Sequence, residues 1–170
     1  MIEIVYTREY SFSDEQLISF FEMMSAPDQA QWDYDPAVFD RSDVAKELRE
    51  FRERPGQDRN HGFWAMDGNR VIGMVGINQF SEPSRRHCAE MGFGVARDYA
   101  RQGLGYRLIC AALDKARAIG LRRTEADCFA DNVAAIALLR KAGFHDEGVR
   151  VGAVMQDGQL RDICLFGLLL

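Results

Sequence analysis

The chain has 170 residues, of which 47% are hydrophobic, so it can bury a full-sized core, and we expect residues 1–170 to form a single domain. The formal net charge of −5 disfavours nucleic acid or an anionic membrane as the main partner and is compatible with a cationic substrate such as an amine. The absence of a signal peptide and of an apolar run of about 18 residues predicts a cytoplasmic protein. The four cysteines lie far apart and lack metal-ligand spacing, which favours buried thiols and predicts no metal site.

The first half of the chain predicts a strand, two amphipathic helices and a hairpin. Ser13-Asp-Glu-Gln16 matches the capping-box pattern that begins a helix. The predicted elements are a strand over 1–5, a helix with Leu17, Phe20, Phe21 and Met24 on one face, a helix with Val44, Leu48 and Phe51 on one face that stops at Pro55-Gly56, and a hairpin over 62–80 that turns at Asp67-Gly68-Asn69. The segment 25–40 between the helices is irregular and acidic.

The second half predicts strands that alternate with helices. The predicted elements are a strand over 87–95, a helix from Leu104 that ends at Gly120, a strand over 121–128, a helix capped by Asp131 or Asn132 that runs to Lys141 and closes at Gly143, and two strands within 144–168 about an Asp157-Gly158 turn. The resulting order, β-α-α-β-β-β-α-β-α-β-β, predicts an α/β domain with a mixed sheet and not a purely parallel one.

The most informative feature is the glycine-bearing turn between the strand 87–95 and the following helix. Gly103 and Gly105 let the backbone approach a ligand without a Cβ in the way. The first N–H groups of the helix, together with its dipole, favour a bound anion. The turn therefore indicates a ligand that carries phosphate, such as a nucleotide-type cofactor.

Three stretches resemble the GNAT superfamily of acetyl-CoA-dependent N-acyltransferases, and the resemblance covers essentially the whole chain. Tyr99-Ala-Arg-Gln-Gly-Leu-Gly105 resembles the pyrophosphate loop of the family, usually written Gln/Arg-x-x-Gly-x-Gly/Ala. Asn132 to Phe144 is similar to the Asn-led helix of the family that ends in Gly-Phe. Phe144 to Arg150, with the closing hairpin, is similar to the branch of the ribosomal-protein N-terminal acetyltransferases (RimJ/RimL-like). The resemblance implies the GNAT fold, α/β (α+β), with a mixed, mostly antiparallel sheet of about six or seven strands and helices on both faces.

Two positions depart from the family pattern. Ala100 stands where the loop usually begins with Gln or Arg, so one polar contact to the pyrophosphate is absent, although the loop binds mainly through backbone N–H groups. Leu139 stands where many members carry the tyrosine that protonates the departing thiolate, and a leucine cannot donate a proton.

The resemblance implies that an amine attacks the thioester of acetyl-CoA, a co-substrate, directly and without a covalent enzyme intermediate. The residues implied in cofactor binding are Phe93, Gly94, Val95, Arg101, Gln102, Gly103, Leu104, Gly105, Tyr106 and Asn132. Phe93 to Val95 are expected to bind pantetheine by strand-like hydrogen bonds and to offer an N–H to the thioester oxygen. Asn132 is equally well explained as a helix cap, and Arg140 and Lys141 either reach phosphates of the cofactor or form a solvated helix end.

The resemblance makes Glu90 the first candidate for the base that takes the proton from the amine, with Asp127 second and His87 third. A structural alternative pairs Glu90 with Arg85, Arg86 or the flanking sheet.

The acceptor is expected to be a protein or peptide N-terminus or a small-molecule amine. The resemblance also suggests a homodimer, since dimers are common among members of the family. Trp32, Asp33, Tyr34 and Asp35 are candidates for an amine-binding wall, since carboxylates attract a cation and aromatic faces pack against it. A solvated loop is the alternative for this segment. Two other functions remain open: a catalytically silent acyl-CoA-binding module, and binding of another nucleotide by the glycine turn.

Overall fold

The computed structural model describes residues 1–26, 40, 42–53 and 59–170. The described helices are α1 (Asp14–Met24), α2 (Val44–Glu53), α3 (Leu104–Ala118) and α4 (Val133–Lys141), with short 3₁₀ turns at Pro83–Arg85 and Arg97–Tyr99. The strands are β1 (Ile2–Tyr6), β2 (Asn60–Asp67), β3 (Arg70–Gln79), β4 (Cys88–Val95), β5 (Arg123–Phe129), β6 (His145–Gln156) and β7 (Gln159–Leu169). This order is the one predicted from the sequence. No helix within these ranges is long and apolar enough to cross a membrane.

The strands form one seven-stranded sheet in the order β1-β2-β3-β4-β5-β7-β6. Among the described strands, β4 and β5 pair in parallel, whereas the other neighbouring strands are antiparallel. The expected mixed, mostly antiparallel sheet is therefore confirmed.

The helices cover both faces of the sheet, because successive strand residues point to opposite sides. On one face, Leu108 of α3 and Leu139 of α4 pack with Ile72 of β3. On the other face, Leu17 of α1 and Leu48 of α2 pack in a second cluster. Two buried clusters thus hold the sheet between two helical layers, as the family resemblance implies.

Local capping chemistry fixes the start of α1. The N–H of Gln16 donates to Ser13 Oγ at 3.2 Å, and the N–H of Ser13 donates to Gln16 Oε1 at 3.0 Å, which completes the predicted capping box. The predicted helix ends are also confirmed. Gly120 follows α3 with a φ of 81°, and Gly143 follows α4 with a φ of 96°, and this backbone region favours glycine.

Candidate active site

A split opens between the two parallel strands in the middle of the sheet. β4 pairs with β5 only from Cys88 to Glu90. Further on, β4 continues along β3 as far as Val95, whereas β5 continues along β7 as far as Phe129. The two strands therefore separate towards their carboxyl ends and leave a cleft between them.

The turn that follows β4 holds two residues in the left-handed backbone region. Arg101 has a φ of 60° and Gly103 has a φ of 80°. For a residue with a Cβ this conformation costs roughly 1–2 kcal/mol. Such residues are concentrated at ligand-binding sites, where neighbouring backbone N–H groups can converge on an anion.

The N-terminus of α3 offers donors that its own helix does not use. The first backbone bond of the helix runs from the N–H of Arg107 to the carbonyl of Gly103 at 3.1 Å, and the N-cap Gly103 provides no side-chain cap. A Cβ built on Gly103 would meet no atom of the described residues within 4 Å. The amides of the first turn therefore have no intrahelical acceptor, and such amides at a helix N-terminus favour a bound anion.

Gly105 lies where α3 packs against α4. A Cβ at Gly105 would lie 2.9 Å from Leu138 Cδ2 and 3.6 Å from Val95 Cγ2. This glycine therefore allows α3 to pack closely against α4. The role in ligand approach that the sequence predicts for Gly103 and Gly105 stays a prediction.

The cationic side chains near the loop differ in the groups that they already contact. Arg140 pairs with Asp146 at 3.1 Å, whereas Lys141 Nζ lies 4.8 Å from the ring centroid of Tyr106, in the first turn of α3. Arg101 and Arg107 are exposed, and neither forms a salt bridge with another residue of the described part of the chain. The sequence left Arg140 and Lys141 equivalent, but their contacts place only Lys141 beside the turn.

Glu90 lies at the point where β4 and β5 begin to separate. Its neighbours Ala89 and Met91 belong to the core under α3 and α4, so its exposed carboxylate lies on the opposite face. Arg85, one of the partners in the structural alternative, instead pairs with Glu125 at 3.0 Å. No cation of the described ranges lies within salt-bridge distance of Glu90, which leaves its carboxylate available to a substrate.

The other candidate bases are less available. Asp127 Oδ2 accepts from Arg150 Nη2 at 2.8 Å, so this carboxylate already holds a cation. His87 is exposed in the turn before β4, at the end where β4 and β5 are still paired. The position of His87 far back along the strand agrees with its third rank among the candidates, whereas the Arg150 contact depends on the strand register and could not be read from the sequence.

Asn132 and Leu139 have clear structural roles. The N–H of Ala135 donates to Asn132 Oδ1 at 3.0 Å, which identifies Asn132 as the N-cap of α4, whereas Asp131 pairs with Arg161 at 2.5 Å. Leu139 is completely buried in the core. The position that carries a tyrosine in many relatives therefore packs the sheet here and supplies no proton.

Trp32, Asp33, Tyr34 and Asp35 lie outside the described residues, so the amine-binding wall stays a prediction. Within the ranges described, no group of three or more His, Cys, Asp and Glu side chains is arranged to hold a metal ion.

Comparison with known proteins gives a consistent family. Residues 24–144 match the model of the acetyltransferase (GNAT) family. The uncharacterized N-acetyltransferase YoaA of Bacillus subtilis is 31% identical over 108 residues, which span 63% of this chain and 60% of that protein. The match to a second curated relative, p20 of Bacillus licheniformis, spans 64% of its length, so this chain covers less than two thirds of either.

Solved structures agree with the fold. The ribosomal-protein-alanine N-acetyltransferase of Brucella melitensis superposes with a TM-score of 0.78 at 19% identity, covering 100% of this chain and 99% of that one. The protein yncA of Salmonella typhimurium, solved with its cofactor acetyl-CoA, superposes with a TM-score of 0.79 at 19% identity, covering 99% of this chain and 94% of that one. At these identities the likeness establishes the fold alone.

Proposed function

Because the chain belongs to the GNAT family of acetyltransferases, we propose that it transfers an acetyl group from acetyl-CoA to a primary amine. The observation that carries the proposal is the cleft between β4 and β5, which opens beside the uncapped N-terminus of α3. One end of this arrangement suits a diphosphate, and the other suits a thioester that meets an amine.

The described residues fit the cofactor. The loop and first helical turn from Arg101 to Tyr106 would hold the pyrophosphate through backbone N–H groups, with Lys141 nearby as a cation. When bound, acetyl-CoA supplies a thioester carbonyl that an amine can attack. Phe93 to Val95 would align the pantetheine arm along β4 and stabilise the developing negative charge on the carbonyl oxygen.

Glu90 is proposed as the general base, with Asp127 as the second candidate. A lysine-like amine with a pKa of about 10.4 must be deprotonated at a cost of about 4.6 kcal/mol at neutral pH, whereas an α-amine near 8 costs only about 1.4 kcal/mol. A base is therefore needed much more for a lysine-like acceptor than for a peptide N-terminus.

A peptide or protein N-terminus is the acceptor class we favour, with small-molecule amines next. The name of the Brucella melitensis neighbour supports this preference. The wall of Trp32, Asp33, Tyr34 and Asp35 is proposed to attract the ammonium group. A single domain over residues 1–170, a cytoplasmic location and a homodimer stay predictions.

A silent acyl-CoA-binding module is the second candidate. The buried Leu139 favours it, since no proton donor stands at that position to assist the departing thiolate.

Release of free thiol from acetyl-CoA tests the proposal. The protein is incubated with acetyl-CoA and a panel of primary amines and peptides with unblocked N-termini. We expect thiol release that depends on the amine, and a fall of about 100-fold or more with a lysine-like acceptor in Glu90→Gln. The matched control is Glu3→Gln, which changes an exposed strand carboxylate in β1. Binding of coenzyme A without turnover of any acceptor would favour the silent module.

A further inference from the structure

We propose that Tyr99 is a positioning residue, whose hydroxyl tethers the phosphate-binding loop to the turn between β2 and β3. The inference rests on the proposed function, because it assigns a role in cofactor binding. Tyr99 closes the 3₁₀ turn Arg97–Tyr99 and lies two positions before the left-handed Arg101. Its hydroxyl donates to Asp67 Oδ2 at 2.7 Å, across 32 positions of sequence.

Other contacts brace the same segment. Arg70 pairs with Asp98 at 3.7 Å, and its guanidinium carbon lies 5.7 Å from the centroid of the Tyr99 ring. Gln102 Nε2 donates to the carbonyl of Asp98 at 3.0 Å. The Tyr99 ring itself packs against the cores on both faces of the sheet. The hydroxyl bond therefore joins the entry of the loop to a hairpin that belongs to the sheet.

The loop needs such a tether because its left-handed backbone conformation is unfavourable by itself. Arg101 holds a φ of 60°, which an L-residue adopts only when its surroundings require it. A loop already fixed in this shape binds a diphosphate without first losing conformational freedom. Asp67 suits the task, since a hydrogen bond to a carboxylate is stronger than one to a neutral acceptor.

Calorimetric titration with coenzyme A tests the tether from both of its ends. We expect Tyr99→Phe and Asp67→Ala each to weaken the affinity about five- to tenfold. The effect is limited because only part of the free energy of one charge-assisted hydrogen bond contributes to coenzyme A binding. Asp67→Asn should weaken the affinity less than Asp67→Ala does, since the amide oxygen still accepts from the hydroxyl but without the charge of the carboxylate. The matched control is Tyr10→Phe, which removes a hydroxyl that accepts from Gln16 at 3.3 Å in another part of the protein.

Kinetics separate positioning from a purely structural role. In Tyr99→Phe the KM for acetyl-CoA should rise, whereas kcat at saturating acetyl-CoA should stay within about twofold, because the tether orders the free loop and touches no reacting atom. A variant that only loses stability would keep its KM at temperatures well below its Tm.

The outcomes distinguish this inference from the proposed function. If the folded wild-type protein binds no coenzyme A, the proposed function fails. If it binds and both Tyr99→Phe and Asp67→Ala bind equally well, the tether is refuted and the proposed function stands. Asp67→Asn as weak as Asp67→Ala would also refute the hydrogen bond as the cause. Should Tyr99→Phe not fold, the affinity of Asp67→Ala for coenzyme A still tests the same hydrogen bond, because this variant removes its acceptor.

Discussion

Gly103 offers the sharpest test of the phosphate-binding loop, because the same helix provides a matched control at its other end. Gly103 has a φ of 80° before α3, and Gly120 has a φ of 81° after it. A Cβ at either position would meet no described atom within 4 Å. Gly103→Ala and Gly120→Ala should therefore each lose roughly 1 kcal/mol of unfolding free energy through the left-handed backbone alone.

The two variants should differ in their affinity for coenzyme A. The new methyl group at position 103 stands where a phosphate must approach the amides, so at least one charge-assisted hydrogen bond is lost. That loss corresponds to an affinity about 10- to 100-fold weaker. Gly120→Ala should bind as the wild type does. Urea unfolding measures the stability, and isothermal titration calorimetry measures the affinity. Equal affinities for the two variants would refute the assignment of the loop.

Three further predictions concern charge, capping and pH. Lys141→Ala should weaken coenzyme A binding about two- to fivefold, and more than Arg140→Ala does, because Arg140 is held by Asp146. A larger effect of Arg140→Ala would contradict the placement of Lys141 beside the phosphates. Ser13→Ala should lose about 1 kcal/mol of unfolding free energy without a change in affinity, since it breaks the capping box; unchanged stability by urea unfolding would show that the cap contributes nothing. Burial, and then nearby cations, lower the pKa of His61 below its usual 6.5. The unfolded chain therefore takes up the proton first as the pH falls below about 6.5, so stability should decline there, and less so in His61→Gln; parallel pH profiles would refute this.

Elements encoded by neighbouring residues could be predicted from the sequence. The capping box at Ser13, the closing glycine after α3 and the hairpin turn at Asp67-Gly68-Asn69 each depend on residues within a few positions of one another. The same is true of the helix start at Gly103, which has a φ of 80°. The fold followed because these local signals stand in the order of a known family.

Contacts between distant strands could not be predicted, because they depend on the sheet register. Arg150 and Asp127 are 23 positions apart, and Arg85 and Glu125 are 40 apart. Periodicity shows that such side chains share a face, but it does not show which of them meet. The availability of Glu90, the engagement of Asp127 and the packing role of Gly105 therefore became visible only in three dimensions.

Titration of the wild-type chain with coenzyme A by isothermal calorimetry tests the central claim most directly. The claim is that the turn before α3 and the β4–β5 cleft form a cofactor site. One molecule of coenzyme A should therefore bind per chain, and acetyl-CoA should compete with it. No heat of binding to protein that unfolds cooperatively, and is therefore folded, would contradict the account.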